Sequence, residues 1–325
     1  MRTLIFAVAC LLAPAADPLR YAPSEGLALE RSIEGAFELR LSDWNVVMNG
    51  QDVPEQYLPK IEIEVATRAS VEAREELREA REGRPARLRR EYRAAHGRRT
   101  SEVSINGESD ATSGEREGHA SVRECVVAFE GERERKLEKG ESTDAALDAL
   151  ALDWDFTALL PADGDERWDA DIAALNPFDE RLAGIAFDYG DEKERLGPAP
   201  EALLTNSKGM WRLERVEERA QDGLRLCVVR LEGDFETFGE RRTELVNVPV
   251  ASGAADERTD YECSVEGELV WNATHGVLHS LEYESEGVMR VRTVRVRDGS
   301  GTDTAYEHTM NFACKRSFKA RSAVK

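Results

Sequence analysis

The feature that most constrains this chain is an alternation that runs from Asp260 to Cys314. Tyr261, Cys263, Val265, Gly267, Leu269 and Trp271 fall on one parity, with Glu262, Ser264, Glu266 and Glu268 between them. A period of two is the mark of a strand with one face buried and the other wet. Asn272–Gly276 carries turn chemistry, and Val277, His279, Leu281 and Tyr283 resume the alternation. Glu286-Gly287 reads as a further turn, followed by Met289 and Val291. The parity then slips at Thr293, so that Val294 and Val296 carry the apolar face, which predicts a bulge. After the Asp298-Gly-Ser-Gly301 turn, Thr304, Tyr306, His308, Met310, Phe312 and Cys314 share a face. The pattern predicts an antiparallel meander.

The rest of the chain follows the same logic. Leu27, Leu29, Ile33, Gly35, Phe37, Leu39 and Leu41 predict a long first strand, with a change of phase at Trp44, Val46 and Met48 before the loop Asn49–Pro54. A second strand starts at Ile61 and runs through Val71. Its continuation, Arg74–Glu82, reads as strand from the hairpin that Glu82–Pro85 would close, and as helix from propensity alone. Residues 104–118 are nearly devoid of apolar side chains and predict a mobile hairpin loop, after which His119–Phe129 returns to strand. In the second half, Trp211–Glu218 and Leu224–Leu231 read as strands, the latter apolar on both parities as a central strand would be. Residues 232–259 read as a long excursion.

The centre differs. Ser142 or Thr143 can cap a helix with Leu147, Leu150, Ala151 and Trp154 at helical spacing. A short helix is predicted at Ile172–Leu175, and Ala186–Pro200 has the composition of a linker. The expected organisation is a signal peptide over 1–15, an N-terminal β half over 16–140, a central helical and linker segment over 141–204, and a C-terminal meander over 205–325. The fold class is mainly β: large antiparallel meander sheets, a curved half-barrel being one form, with a short central helical segment.

Export is read from the first residues. Arg2, the apolar run Leu4–Leu12 and Ala13-Pro-Ala15 have the layout of a cleaved signal. Cys10 offers the rival reading of a lipoprotein box, although a branched residue three positions before it is missing. No other run is apolar and long enough for a membrane helix. The net charge of −20 sets the chain against nucleic acid and anionic surfaces. The arginines at 84, 87, 89, 90, 93, 98 and 99 form a basic stretch with Tyr92 alone interleaved, which fits cross-strand pairing with Glu75, Glu76, Glu79 and Glu82 better than a nucleic-acid surface. Arg290 and Arg292 are expected to pair likewise with Glu282 and Glu284.

Four cysteines remain beyond the signal: Cys125, Cys227, Cys263 and Cys314. In an exported chain they suggest two disulfides, with Cys227–Cys263 and Cys125–Cys314 the preferred set, and buried free thiols the alternative. None has zinc-ligand spacing.

Leu159-Leu-Pro161 followed by Gly164-Asp165-x-x-Trp168 resembles a pattern in uncharacterised exported bacterial β-proteins, where "Leu-Pro … Gly-Asp-x-Trp" sits between two sets of antiparallel strands. Here one extra residue precedes the tryptophan. These proteins also look loosely similar to periplasmic lipoprotein carriers, whose curved sheet encloses an apolar cavity. The resemblance covers the central segment and implies no catalytic residues.

Candidate chemistry is sparse. Asp153, Asp155, Asp163, Asp165, Asp169 and Asp171 cluster in the centre, and the last four are the candidates for a cation, against the reading that such clusters arise by chance in an acidic chain and cap helices. His275 and His279, near Glu282 and Glu284, form a second metal candidate, against a turn residue and a packed imidazole. His308 reads as a core imidazole. No nucleophile elbow, zinc-protease motif or phosphate loop is present, so no catalytic residue or cofactor is assigned. Three uses remain open: a non-catalytic protein that binds an apolar molecule or an envelope protein, a secreted hydrolase or cation binder using the central aspartates, and a structural envelope component.

Overall fold

The computed structural model describes residues 19–81, 84–110, 114–119, 124–130, 134–139, 156–161, 164–179, 205–245, 253–296 and 305–325. Among them run 14 antiparallel strands of one sheet. The N-terminal half supplies β1 (Ala28–Met48), β2 (Gln51–Asp52), β3 (Ile61–Arg81), β4 (Arg84–Ile105), β5 (Glu108–Ser109), β6 (Gly114–His119), β7 (Glu124–Glu130) and β8 (Glu134–Lys139). The remainder supplies β9 (Arg167–Asp171), β10 (Lys208–Gln221), β11 (Leu224–Leu245), β12 (Gly253–Asn272), β13 (Val277–Val296) and β14 (Ala305–Val324). The order across the sheet is β8-β7-β4-β3-β1-β14-β13-β12-β11-β10-β9, so β8 and β9 are edges and the sheet is not closed into a barrel. The two halves meet where β1 pairs with β14, from Leu29 opposite Val324 to Met48 opposite Tyr306.

The alternation read from the sequence divides the sheet into two unlike faces. Residues such as Glu262, Glu266, Glu282, Glu284 and Lys315 stand exposed on one. Tyr261, Val265, Leu269, Leu281, Tyr283, Phe312 and Phe318 are buried on the other, in one continuous core. The phase change at Trp44 is a register shift between Leu41 and Asp43. Past it, Trp44 sits opposite Met310 and Val46 opposite His308, so the apolar side chains stay on the core face. Arg74–Arg81 is strand, as the hairpin reading required.

Several expectations are corrected. Glu286-Gly287 is not a turn: β13 passes straight through it. Gly287 lies opposite Cys263 on one side and Cys314 on the other, and a Cβ there would collide with the Glu262 carbonyl and the Cys263 Cβ. The glycine permits close approach of strands rather than reversal. The parity does not slip at Thr293, which is buried while Val294 is half-exposed. The irregularity falls earlier, where Val270 and Trp271 face Ser280 and Leu278 and His279 is the extra residue. Residues 232–259 are mostly strand, since β11 continues to Leu245 and β12 starts at Gly253. Residues 104–118 contain β5 and the start of β6 rather than a plain loop. Ile172–Ala174 is a single 3-10 turn. The helix expected at Leu147–Trp154 and the Ala186–Pro200 linker lie outside the described residues.

Arg290 and Arg292 do not pair with Glu282 and Glu284, because without a turn at Gly287 these residues belong to the same strand. The partners come from β14: Arg292 binds Glu307 at 2.6 Å, and Lys319 binds Glu282 at 2.8 Å. The Arg84–Arg99 stretch does pair as expected, with Arg89–Glu76 at 3.7 Å and Arg87–Glu79 at 3.1 Å.

Candidate functional site

The core face needs a cover, and the central segment provides it. Phe156, Leu159, Ile172, Leu175 and Phe178 are buried against the sheet. Two indoles fasten them. Trp168, on edge strand β9, donates from Nε1 to the Leu159 carbonyl at 2.9 Å. Trp211 on β10 donates to the Leu175 carbonyl at 2.8 Å. The first bond ties the Leu159-Leu-Pro161 segment to Trp168. At the β12–β13 end of the sheet, Trp271 donates to the Arg20 carbonyl at 3.2 Å, and Tyr21 packs beside it.

Two groups of charge are sunk into this face, at positions where the alternation calls for apolar side chains. In the first, Glu75 lies between Arg31 and Arg90. Arg31 Nε donates to Glu75 at 2.5 Å and Arg90 Nε at 2.7 Å, while Arg31 Nη1 reaches Ser322 Oγ at 2.8 Å. Burial pushes the Glu75 carboxyl up, but the two guanidinium groups more than offset this and hold it below the usual carboxylate range. The network joins β1, β3, β4 and β14.

The second is Arg316, 7% exposed, on β14. Its Nη1 donates to the Pro177 carbonyl of the cover at 2.9 Å. The guanidinium stacks over Phe37 at 4.8 Å and over Tyr261 at 5.2 Å. Among the described residues no carboxylate pairs with it, and its Nε finds no acceptor. Ser285 Oγ, directly opposite Arg316 across the ladder, is buried without a hydrogen-bond partner among the described residues, and the Tyr261 hydroxyl is buried beside the guanidinium. A buried cation without a carboxylate, next to an unsatisfied hydroxyl, is unusual in a packed interior.

Away from the cover, the same face opens. Leu41, Ile63, Met289 and Met310 are partly buried, and at its end Met48 is 39% and Ile105 42% exposed. Hollows also lie on the wet face. The one of about 580 Å³ over β1, β3 and β14 exists because Ala36, Ser70 and Ser317 are short among longer charged neighbours. Those neighbours are engaged in ion pairs, Arg98 with Glu115 at 2.6 Å and Lys319 with Glu282 at 2.8 Å.

No family model matches the chain. No curated protein matches it. Among solved structures, the crystal structure of Acinetobacter baumannii OccAB4 is 8% identical over 90% of this chain and 99% of that one, with a TM-score of 0.10.

The residues singled out from the sequence fare unevenly. Asp165 and Asp169 are exposed, and Asp171 caps the 3-10 turn by accepting from Ala173 N at 2.8 Å. Asp163, with Asp153 and Asp155, lies outside the described residues. His275 sits in the turn, where its backbone N–H binds Asn272 Oδ1 at 3.2 Å, and His279 is half-buried at the bulge. Among the described residues no three metal-ligating side chains converge.

The expected Cys227–Cys263 disulfide is corrected, since Cys227, Cys263 and Cys314 are free thiols in the structure. Cys227 faces Trp271 and Cys263 faces Phe235, eight positions along the ladder, or about 26 Å at a strand's rise. The Cys125–Cys314 bond fails at Cys314, which is free; the Cys125 backbone pairs with Arg90 on β4, and its side chain lies outside the described residues. Burial pushes the Cys227 thiol up to about 11, Cys263 to about 12 and Cys314 to about 11.

The sequence reading missed Glu75, Arg90 and Arg316 as interior groups. The signal was available: Arg31, Arg90 and Arg316 all fall on the apolar parity of their strands.

Proposed function

We propose that the protein is a non-catalytic, exported binding protein whose core sheet face takes an apolar molecule at the end the cover leaves open. The observation that carries this is the change of burial along one face. Trp211, Leu231 and Trp271 are fully buried near the cover, whereas the same parity farther along presents half-buried Leu41, Ile63 and Met310 and ends at exposed Met48 and Ile105. Methionines suit such a surface, because an unbranched thioether adapts to ligands of differing shape. Export is supported by the Arg2, Leu4–Leu12 and Ala13-Pro-Ala15 pattern.

The test is native mass spectrometry of protein isolated from its own host, with titration by an uncharged solvatochromic dye such as Nile red. A retained apolar mass, or saturable dye binding that Met310→Glu abolishes, supports the reading. A clean apoprotein with no saturable dye binding overturns it and leaves a structural role. Retention of a folded protein partner would assign the face to protein binding.

A further inference from the structure

The open apolar end and the buried Arg316 belong to the same face and are within reach of each other. Arg316 lies opposite Phe37, which is half-buried and so forms the solvent-side approach to the guanidinium. From Phe37 the core face of β1 passes the buried Leu39 and reaches half-buried Leu41 and Trp44, roughly 20 Å on at a strand's rise. A positive centre at one end of an apolar track is the complement of an amphiphile with an anionic head.

We propose that Arg316 anchors the head of a long-chain monocarboxylate whose tail lies over Phe37 and Leu41 toward Trp44 and Met310. The proposal rests on the apolar-ligand reading above and deepens it. Three observations select the head group. Among the described residues Arg316 is the buried guanidinium left without a carboxylate, whereas Arg31 and Arg90 share Glu75. Its Nη1 is taken by the Pro177 carbonyl, so the Nε edge remains, and a planar carboxylate matches a guanidinium edge with two parallel bonds. Ser285 Oγ, unpartnered among the described residues, and the buried Tyr261 Oη add hydroxyl donors beside it. One cation neutralises one charge, which favours a monoanion over a phosphate dianion. Phe178 packs edge-on to Tyr261 at 4.9 Å, and with Pro177 it closes the head site, so entry requires the 172–179 part of the cover to shift.

The experiment compares hexadecanoate, hexadecanol and hexadecyl phosphate as competitors of a bound Nile red probe, on wild type and on Arg316→Gln. The expected result is hexadecanoate at least about tenfold tighter than hexadecanol, the worth of one charge-assisted contact. Arg316→Gln should bring hexadecanoate down to the alcohol's affinity and leave the alcohol unchanged. Equal binding of acid and alcohol by wild type overturns the proposal, as a water-filled polar nest would predict, while leaving the apolar-ligand reading intact. Tighter binding of the phosphate overturns the choice of head group. If the variant fails to fold, the wild-type ranking decides alone. If the dye itself shows no saturable site, the underlying reading fails, and the proposal with it.

Discussion

Cys227 and Cys263 sit on paired strands, yet each faces an aromatic of the other strand, Trp271 and Phe235, rather than its fellow cysteine. Cys263 and Cys314 come closer, on either side of Gly287, but two strand spacings put their Cα atoms roughly 9–10 Å apart, beyond the about 7 Å a disulfide can bridge. Thiol chemistry is therefore a sensitive check on the register. A thiol pushed up to about 11 or 12 is almost wholly protonated near neutrality, and the thiolate is the reacting species. Native protein should leave Cys227, Cys263 and Cys314 unlabelled by iodoacetamide, and denaturation without reductant should expose all three. Recovery of a Cys227–Cys263 peptide pair would contradict the ladder.

Glu75 tests the buried network. Glu75→Gln removes the charge between Arg31 and Arg90 and should cost about 3–5 kcal/mol by denaturant unfolding, because two cations are left uncompensated. The wild type should also be acid-sensitive through this group. Its carboxyl is depressed in the fold, so the stabilisation is complete above the unfolded value, about 4.3, and is lost as pH falls below it. The variant's unfolding should show a weaker dependence on pH in that window.

Gly287 tests close strand approach against the turn reading. Gly287→Ala should destabilise by about 1–3 kcal/mol or more, since the added methyl meets backbone and Cβ that cannot easily retreat. Gly114→Ala, where a Cβ would meet nothing, serves as the control and should be near neutral. Equal effects of the two on thermal unfolding would contradict the packing described.

His279, the bulged residue, should make stability fall on mild acidification. Burial, with Arg219 and Arg321 nearby, lowers its pKa in the fold, so the unfolded chain takes up the proton first as pH drops through about 6.5. The melting temperature of His279→Gln should change less than that of wild type between about pH 7.5 and about pH 5.5.

Much of the architecture was legible because parity survives packing. The alternation of Tyr261 to Trp271 and the phase change at Trp44 are both physical consequences of a strand with one covered face. What misled was local chemistry with two meanings. Glu286-Gly287 has the composition of a turn, but the glycine answers the need of Cys263 and Glu262 for space. Residues 232–245 looked like an excursion because Gly233, Thr237 and Gly239 carry the buried parity there with little apolar signal. The interior charges were missed for a related reason: a guanidinium on the apolar parity reads as a break in the pattern until the carboxylate, ring or carbonyl facing it is known. Glu75 and Arg90 meet across a hairpin, but Arg316 meets Phe37 and Pro177 only through tertiary structure.

The β1–β14 seam has a consequence for assembly. Along the rest of the sheet, long strands pair with near neighbours in sequence, whereas Leu29 finds Val324 only by closing the longest loop in the chain. Local hairpins on either side form with little loop entropy to overcome, and the seam comes last. Until then each half carries a bare strand edge of about 20 residues, and each edge is complementary to the other half of any second molecule. Refolding at high concentration will accordingly divert chains into swapped dimers joined β1 to β14, while dilution favours the monomer.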